Sequence, residues 1–277
     1  MKADILKSYL YKGKDKNDIK HFEDFLKEIN FDTQKYIEYI ACNKLDKLNL
    51  KCIKEIILAL HKDLDVNWLT SHDFNHMQMQ EIRLGLEEGL DVSMYAKPEF
   101  DWCQMLHIRT GLEKGLDVSI YAKPELDWKQ MREIRLGLEE GLDISVYAKT
   151  EFDWQQMGEI RFGLENKIDV SIYTRPEFDW EQMEEIRWGL EKRLDVSMYA
   201  KPEFDWQQMQ EIRTGLEKGL DVSIYAKPEY NWEQMKVIKL GLTKGLDVSI
   251  YAKPELDLKQ MRKIKLELEN KNNNTWK

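Results

Sequence analysis

A fixed period of 26 residues runs through most of this 277-residue chain and limits what it can fold into. Methionine marks the period in successive copies: Met79, Met105, Met131, Met157, Met183, Met209, Met235 and Met261. An aspartate series, from Asp91 to Asp247, keeps the same step. A period of this length is typical of stacked supersecondary units that are too small to bury their apolar faces alone. The period therefore predicts a solenoid.

The copy that begins at Leu126 shows the secondary structure of one unit. Asp127 is a favourable N-cap residue, and the segment from Trp128 to Glu140 contains no proline and many helix formers. One helical face of this segment carries four apolar residues and one cation: Trp128, Met131, Ile134, Arg135 and Leu138. The pattern predicts a helix of about three to four turns with an apolar stripe.

A tight turn and a second, shorter helix are expected to complete the unit. Gly141 lies where a helix ends in a left-handed residue, and Asp143 can cap a new helix that continues through Tyr147. In most copies a proline such as Pro124 follows, and the residue before a proline avoids helical angles. We therefore expect the second helix to have about one to two turns.

Glycine recurs inside the longer helix, where it costs roughly 0.5–1 kcal/mol relative to alanine. The series comprises Gly85, Gly111, Gly137, Gly163, Gly189, Gly215 and Gly241. A repeated cost suggests a packing benefit, and we expect the backbone of a neighbouring helix to approach closely there. Ala59 occupies this position in a degenerate earlier copy, and Glu267 occupies it in the last copy, where we expect no such approach.

The expected fold class is all-α, an α-solenoid of 26-residue two-helix repeats with an N-terminal helical cap. We assign residues 1–49 to the cap, 50–73 to a degenerate first repeat, 74–268 to the tandem repeats and 269–277 to a frayed tail. Within the cap, apolar residues show helical spacing from Ile19 to Ile29 and again from Tyr36 to Ile40.

Two central copies depart from the pattern. Lys167 and Arg193 replace the glycine that ends the longer helix, and Thr150 replaces the usual proline. Since these positions define the turns, we expect the local geometry to shift between residues 150 and 195.

Composition narrows the functional class. The chain is 42% hydrophobic with nine tryptophans, which is ample for a continuous core, and its net charge of −9 disfavours non-specific attraction to nucleic-acid phosphate. No apolar run is long enough to span a membrane, and the N-terminus is too charged for a secretory signal. Because Cys42, Cys52 and Cys103 form no pairing pattern, we expect reduced thiols and a cytoplasmic location.

The repeated string GLDVSxYAKPEFDWxQMxEIRxGLE resembles a family of short helical repeats found in Firmicutes and their mobile elements, including phages. The resemblance covers about residues 74–268. It implies no shared activity, cofactor or site residue. It does imply a setting, a low-GC bacterium or phage, in which an accessory or counter-defence role is expected.

Catalytic chemistry finds little support in the sequence. Histidine, the commonest general acid or base, is absent after His107, and no phosphate-binding loop, nucleophile elbow or HExxH motif occurs. We therefore expect no enzyme activity, no cofactor and no metal. A metal site centred on His61, His72 and His76 is the alternative, since the latter two have the spacing of one helical face. We favour solvated histidines there.

Two recurring series, one of arginines and one of tyrosines, offer a second functional alternative. Each series is called a ladder below. The arginine series runs from Arg83 to Arg213, and the tyrosine series from Tyr95 to Tyr251. Together they could bind nucleic acid or nucleotide. The plainer interpretation, which we favour, is that the arginines pair with recurring carboxylates such as Glu113 and the tyrosines lie in the core. These carboxylates, Asp117 among them, are expected to pair between neighbouring copies or to cap helix ends.

The residues that differ between copies point to a recognition surface, because repeat proteins place partner specificity on a variable face held by a constant scaffold. Phe162 and Trp188 are large aromatics at equivalent positions of adjacent copies, and such residues are typical hot spots. The predicted partner-binding residues are Phe162, Trp188, Leu136, Arg132, Glu181, Glu184, Thr214 and Gln210. Neutral drift on a solvated face is the alternative.

The expected function is a non-catalytic, protein-binding repeat scaffold. In the setting that the resemblance implies, it would be a phage or mobile-element inhibitor of a host defence protein that acts by stoichiometric binding. The acidic balance suits a basic, nucleic-acid-binding host protein as the partner, with no membrane and no direct nucleic-acid contact.

Overall fold

The computed structural model describes residues 10–29, 39–40, 43 and 45–274, and within these ranges all regular structure is helical. The α-helices are α1 (Lys16–Glu28), α2 (Leu50–His61), α3 (Asn67–Thr70), α4 (His76–Glu87), α5 (Trp102–Glu113), α6 (Trp128–Glu139), α7 (Trp154–Glu165), α8 (Trp180–Glu191), α9 (Trp206–Glu217), α10 (Trp232–Thr243) and α11 (Leu258–Asn274). The 3-10 turns are Leu45–Lys47, Val92–Met94, Val118–Ile120, Ile144–Val146, Val170–Ile172, Val196–Met198, Val222–Ile224 and Val248–Ile250. The helix predicted from Tyr36 to Ile40 lies largely outside the described residues, which include only Tyr39 and Ile40 of it.

The chain divides into two compact units, residues 1–135 and 136–277. In the first unit α1 packs on α2, α2 and α3 pack on α4, and α4 packs on α5. In the second unit α7, α8, α9 and α10 each pack on the next helix in sequence. Packing between sequence neighbours is the arrangement of an α-solenoid, so the predicted fold class is confirmed. None of the described helices is both long and apolar enough to cross a membrane.

The copy built on α8 shows why the sequence folds as it does. Asp179 caps the helix by accepting the backbone N–H of Gln182 at 2.8 Å, and the Gln182 side chain accepts the N–H of Asp179 in return. After the helix, Asp195 caps the 3-10 turn by accepting the N–H of Ser197 at 3.1 Å. The second helix of the predicted unit is therefore a single 3-10 turn, the short end of the expected one to two turns.

Methionine, isoleucine and tyrosine form the core of each tandem copy, together with phenylalanine in most of them. In the α8 copy Met183, Ile186 and Tyr199 have no exposed surface. Tryptophan is not part of this core: Trp128 and Trp206 are each 37% exposed, so the expectation that tryptophans build it is wrong. Each of these two residues is the first of its helix, and side chains lean toward the helix N-terminus, beyond the packed turns.

The glycine inside each long helix makes room for a tyrosine of its own copy. A Cβ atom at Gly189 would overlap the hydroxyl of Tyr199 and lie 2.8 Å from Cγ1 of Val196. The hydroxyl of Tyr199 donates to the backbone carbonyl of Glu185 at 3.1 Å. The predicted close approach is therefore real, but its source is a side chain of the same copy and not the backbone of a neighbouring helix.

The predicted shift in local geometry does not occur at the two substituted turns. Lys167 and Arg193 adopt positive φ angles of 58° and 57°, close to the 67° of Gly219, so the turn geometry is retained at both positions. The segment predicted to fray begins at residue 269, and α11 continues to Asn274.

A glutamine links each copy to the next. The Oε1 atom of Gln208 accepts the backbone N–H of Asp205 at 2.8 Å, and its Nε2 atom donates to the carbonyl of Tyr230 in the following copy at 2.6 Å. Gln182 makes the same link to Phe204. One side chain thus caps its own helix and fixes the register of the next unit.

Candidate partner-binding surface

The recurring arginines pair across the grooves between neighbouring helices. In the α8–α9 groove Nε of Arg213 donates to Glu185 at 2.6 Å, and in the α7–α8 groove Nε of Arg187 donates to Glu159 at 2.8 Å. Each of these arginines thus pairs with a glutamate of the preceding copy, 28 residues earlier. This confirms structural pairing as the better interpretation of the ladder.

The two carboxylates singled out in the sequence take the two expected roles, pairing and capping. Glu113 pairs with Arg109 on the same helix. Asp117 caps a 3-10 turn, where it accepts the backbone N–H of Ser119 at 3.1 Å. Arg109 also pairs with Glu81 of the preceding copy, at 2.9 Å, a partner that the sequence analysis did not name.

Burial and pairing leave the ladder poorly placed to bind phosphate. Burial alone would lower the pKa of Arg213, but the hydrogen bond and charge of Glu185 outweigh it and raise that pKa. The side chain of Arg213 is 8% exposed and that of Glu185 is 3% exposed. Withdrawing a guanidinium from such a pair would leave a buried charge without compensation, which is strongly unfavourable.

The tyrosine ladder lies in the core, as the favoured interpretation predicts. Tyr95, Tyr121, Tyr147, Tyr173, Tyr199, Tyr225 and Tyr251 all have no exposed surface. Burial also raises the pKa of Tyr199. Because these rings are enclosed within the copies, they offer no face on which a base could stack, and the nucleic-acid alternative loses both of its ladders.

The variable face of α8 carries three of the predicted partner-binding residues. Glu181, Glu184 and Trp188 are three and four residues apart, which places them on one side of the helix. All three side chains are half-buried. Burial raises the pKa of Glu184, and the neighbouring charge of Glu185 adds to this effect.

Phe162 and Trp188 alternate with arginines of the ladder. The guanidinium carbon of Arg187 lies 6.0 Å from the centroid of the Phe162 ring and 5.9 Å from that of Trp188. Arg161 lies 4.5 Å from Phe162, and Arg213 lies 5.2 Å from Trp188. Because the arginines are held by carboxylates, these cation–π contacts hold the two rings in place. Phe162 nevertheless keeps 43% of its surface exposed.

Two other predicted residues of the second unit, Thr214 and Gln210, make hydrogen bonds within the scaffold. The hydroxyl of Thr214 donates to the carbonyl of Gln210 at 2.8 Å and accepts from Nζ of Lys239 at 2.6 Å. The side-chain amide of Gln210 donates to Glu185 at 3.4 Å. Leu136 is half-buried. Helices α7, α8 and α9 pack on one another in order, and they carry six of the predicted residues: Phe162, Glu181, Glu184, Trp188, Gln210 and Thr214.

Arg132 does not belong to that group. It lies in the first unit, where its exposed side chain pairs with Glu133 at 2.8 Å.

The histidine cluster does not form the helical face that its spacing suggested. His76 is the first residue of α4, whereas His72 precedes the helix and its ring lies 5.6 Å from that of Phe74. Among the described residues, no group of three or more His, Cys, Asp or Glu side chains is arranged to hold a metal ion.

One informative series was not singled out from the sequence. It consists of the residues at the position of the glutamate that pairs across each groove. It reads Glu55, Glu81, His107, Glu133, Glu159, Glu185, Glu211, Val237 and Lys263. Comparing copies at this position would have revealed two exceptions inside the array, His107 and Val237. His107 stacks on Trp128 at 5.8 Å, and burial, followed by the charge of Arg135, lowers its pKa to about 4.

Comparison with known proteins adds no assignment: no family model, curated protein or solved structure matches the chain.

Proposed function

We propose that this chain is a non-catalytic protein-binding scaffold whose partner contacts the variable face of α7, α8 and α9. The supporting observation is the contrast between paired and exposed side chains in these copies. The constant residues Arg187 and Tyr199 are occupied within the scaffold. Phe162, by contrast, is a large apolar side chain with 43% of its surface exposed, held beside Trp188 by a shared arginine.

The chemistry of this face favours a partner with both apolar and cationic side chains. Pre-positioned aromatic rings lose little conformational freedom on binding, which is a property of hot spots. Glu181 and Glu184 flank Trp188 on the same helix face and can meet lysine or arginine at the rim. A basic host protein, including one that binds nucleic acid, fits this description.

The proposal extends to stoichiometric inhibition. The resemblance to repeats of Firmicutes and their mobile elements supplies the setting, in which the chain would block a host defence protein by occupying its surface. Such an inhibitor needs no turnover, and one chain would silence one partner.

Affinity capture from a Firmicutes lysate, followed by mass spectrometry, would identify the partner. The double variant Phe162→Ala, Trp188→Ala should weaken capture by about thirtyfold or more, since a single hot-spot truncation costs about 2 kcal/mol or more. Its helical circular dichroism should stay unchanged, because neither side chain belongs to the buried core.

Ile250→Ala is the matched control, since Ile250 is an exposed apolar residue, 45% accessible, that lies away from α7, α8 and α9 in the sequence. Equal capture by the double variant and the wild type would remove this face from the proposal. A salt-dependent mobility shift of RNA or DNA would instead favour the nucleic-acid alternative.

A further inference from the structure

The groove between α10 and α11 differs from the preceding grooves of the second unit at one buried position. In the α9–α10 groove Glu211 pairs with Lys239 at 2.5 Å. Val237 takes the equivalent position in α10, where it is 5% exposed. Lys265, the ladder cation of α11, pairs with Glu269 of its own helix at 2.6 Å. The cation of the ladder is retained here, while its partner across the groove is replaced by an apolar residue.

A cleft of about 270 Å³ lies in this groove. Three cations line it, Lys236, Arg262 and Lys265, against a single acid, Glu233. Arg262 approaches Glu233 only to 3.8 Å, and both side chains are largely solvated. A pair of this kind contributes little, so the guanidinium remains available to a better acceptor.

The rest of the cleft lining is apolar. It consists of Val237, Leu240 and Trp232. Leu240 is 39% exposed, and Leu266 of α11 is 56% exposed. Apolar surface beside an excess of positive charge suits a ligand that carries both a carboxylate and an apolar group.

We propose that this cleft binds an acidic segment of a partner protein, with one carboxylate directed at Lys265 and Arg262 and an adjacent apolar side chain on Leu240. The incoming carboxylate supplies the acceptor that Glu185 and Glu211 supply in the other grooves. This site is separate from the Phe162 and Trp188 surface and does not depend on it.

The probe is a short fluorescein-labelled peptide that contains Glu-Leu-Glu between glycine and serine residues, with both ends blocked. Its binding is followed by fluorescence anisotropy at low and at physiological salt. Val237→Glu should weaken binding by about tenfold or more, because the new carboxylate occupies the cleft and pairs with Lys265. Glu185 and Glu211 show that a buried glutamate is compatible with this position of the fold.

Arg262→Glu should weaken peptide binding by a similar factor. Because the side chain of Arg262 is exposed, this variant does not place a new charge in the packed groove. Lys259→Glu is its matched control, because it makes the same charge change on α11 at an exposed residue outside the cleft. We expect that control to weaken binding by clearly less than Arg262→Glu does, since it removes no cation of the cleft lining, and the difference should be largest at physiological salt. The Phe162→Ala, Trp188→Ala variant should bind the peptide as the wild type does, so this proposal and the proposed function can fail separately.

Equal losses for Arg262→Glu and Lys259→Glu would reduce the effect to general charge and overturn the proposal. The same conclusion would follow if the wild type did not bind the peptide, or if Val237→Glu bound it unchanged. A Gln-Leu-Gln peptide that binds as tightly as Glu-Leu-Glu would also overturn it.

Discussion

The α8–α9 groove and the α10–α11 groove are built from the same repeat, yet the cation of the ladder has a different pairing partner in each. In the first, Glu185 accepts Arg213 across the groove at 2.6 Å. In the second, Val237 supplies no acceptor, Lys265 pairs instead with Glu269 of its own helix, and a cleft is lined by Lys265 and Arg262. The residue at this one position therefore decides whether the ladder cation pairs across the groove.

The largest expected effect comes from removing that carboxylate where it is present. Glu185→Ala leaves Arg213 buried beside Glu217 alone and should lower the free energy of unfolding by about 3–5 kcal/mol, as for other broken buried pairs. Urea unfolding followed by circular dichroism measures the change. Glu233→Ala in the α10–α11 groove should change it by less than about 0.5 kcal/mol. Equal losses at the two sites would contradict the comparison.

The helix glycine gives the next largest effect. Gly189→Ala places a Cβ against Tyr199 and Val196 and should cost about 2–3 kcal/mol, which exceeds the helix-propensity gain of alanine. Adding Tyr199→Phe should recover part of the loss, because it removes the overlapping hydroxyl. In the terminal copy, Glu267→Ala should be neutral or slightly stabilising. A neutral Gly189→Ala in urea unfolding would show that the tyrosine contact is not the constraint.

His107 provides a third kind of groove, with a neutral ring at the carboxylate position. Its pKa is lowered from 6.5 to about 4, so on acidification the unfolded chain takes up a proton before the folded chain does. Stability should therefore fall between pH 6.5 and pH 4, by about 1–2 kcal/mol after allowance for partial exposure. His107→Gln should remove this component from the pH dependence of urea unfolding. An identical pH profile for the variant would refute the assignment.

The smallest effect concerns the left-handed residues that end the long helices. Arg193 has a φ of 57°, a conformation that favours glycine. Arg193→Gly should therefore raise the free energy of unfolding by about 0.5–1 kcal/mol. The reverse change, Gly219→Arg, should lower it by a similar amount. A loss of stability for Arg193→Gly would indicate that its side chain contributes contacts that outweigh the strain.

The sequence was sufficient to predict the elements that depend on neighbouring residues. The helix expected from Trp128 to Glu140 ends at Glu139, and Gly141 and Asp143 have the expected turn and cap roles. Caps and left-handed turns are decided within a few residues of chain, so a local pattern is enough to specify them.

Charge pairing between neighbouring copies was predicted, but the glutamates that take part in it were not. Arg213 and Glu185 are separated by more than one copy, so no inspection of a single unit pairs them. The reason for the helix glycine was visible in principle, because the copy with Ala59 has Leu69 where the others have tyrosine. For the candidate site, the variability that singled out Phe162 and Trp188 did not indicate that arginines hold both rings.

The glutamine that reaches into the following copy has a consequence for how such a gene can change. Gln208 needs only a backbone carbonyl at the matching place, and Tyr230, Leu256 and Phe204 all supply one to the glutamine before them. Gain or loss of one whole copy by recombination would therefore create a junction in which each link is again complete. The number of copies can therefore change while every glutamine link is kept, and the residues of the variable face can differ from one copy to the next.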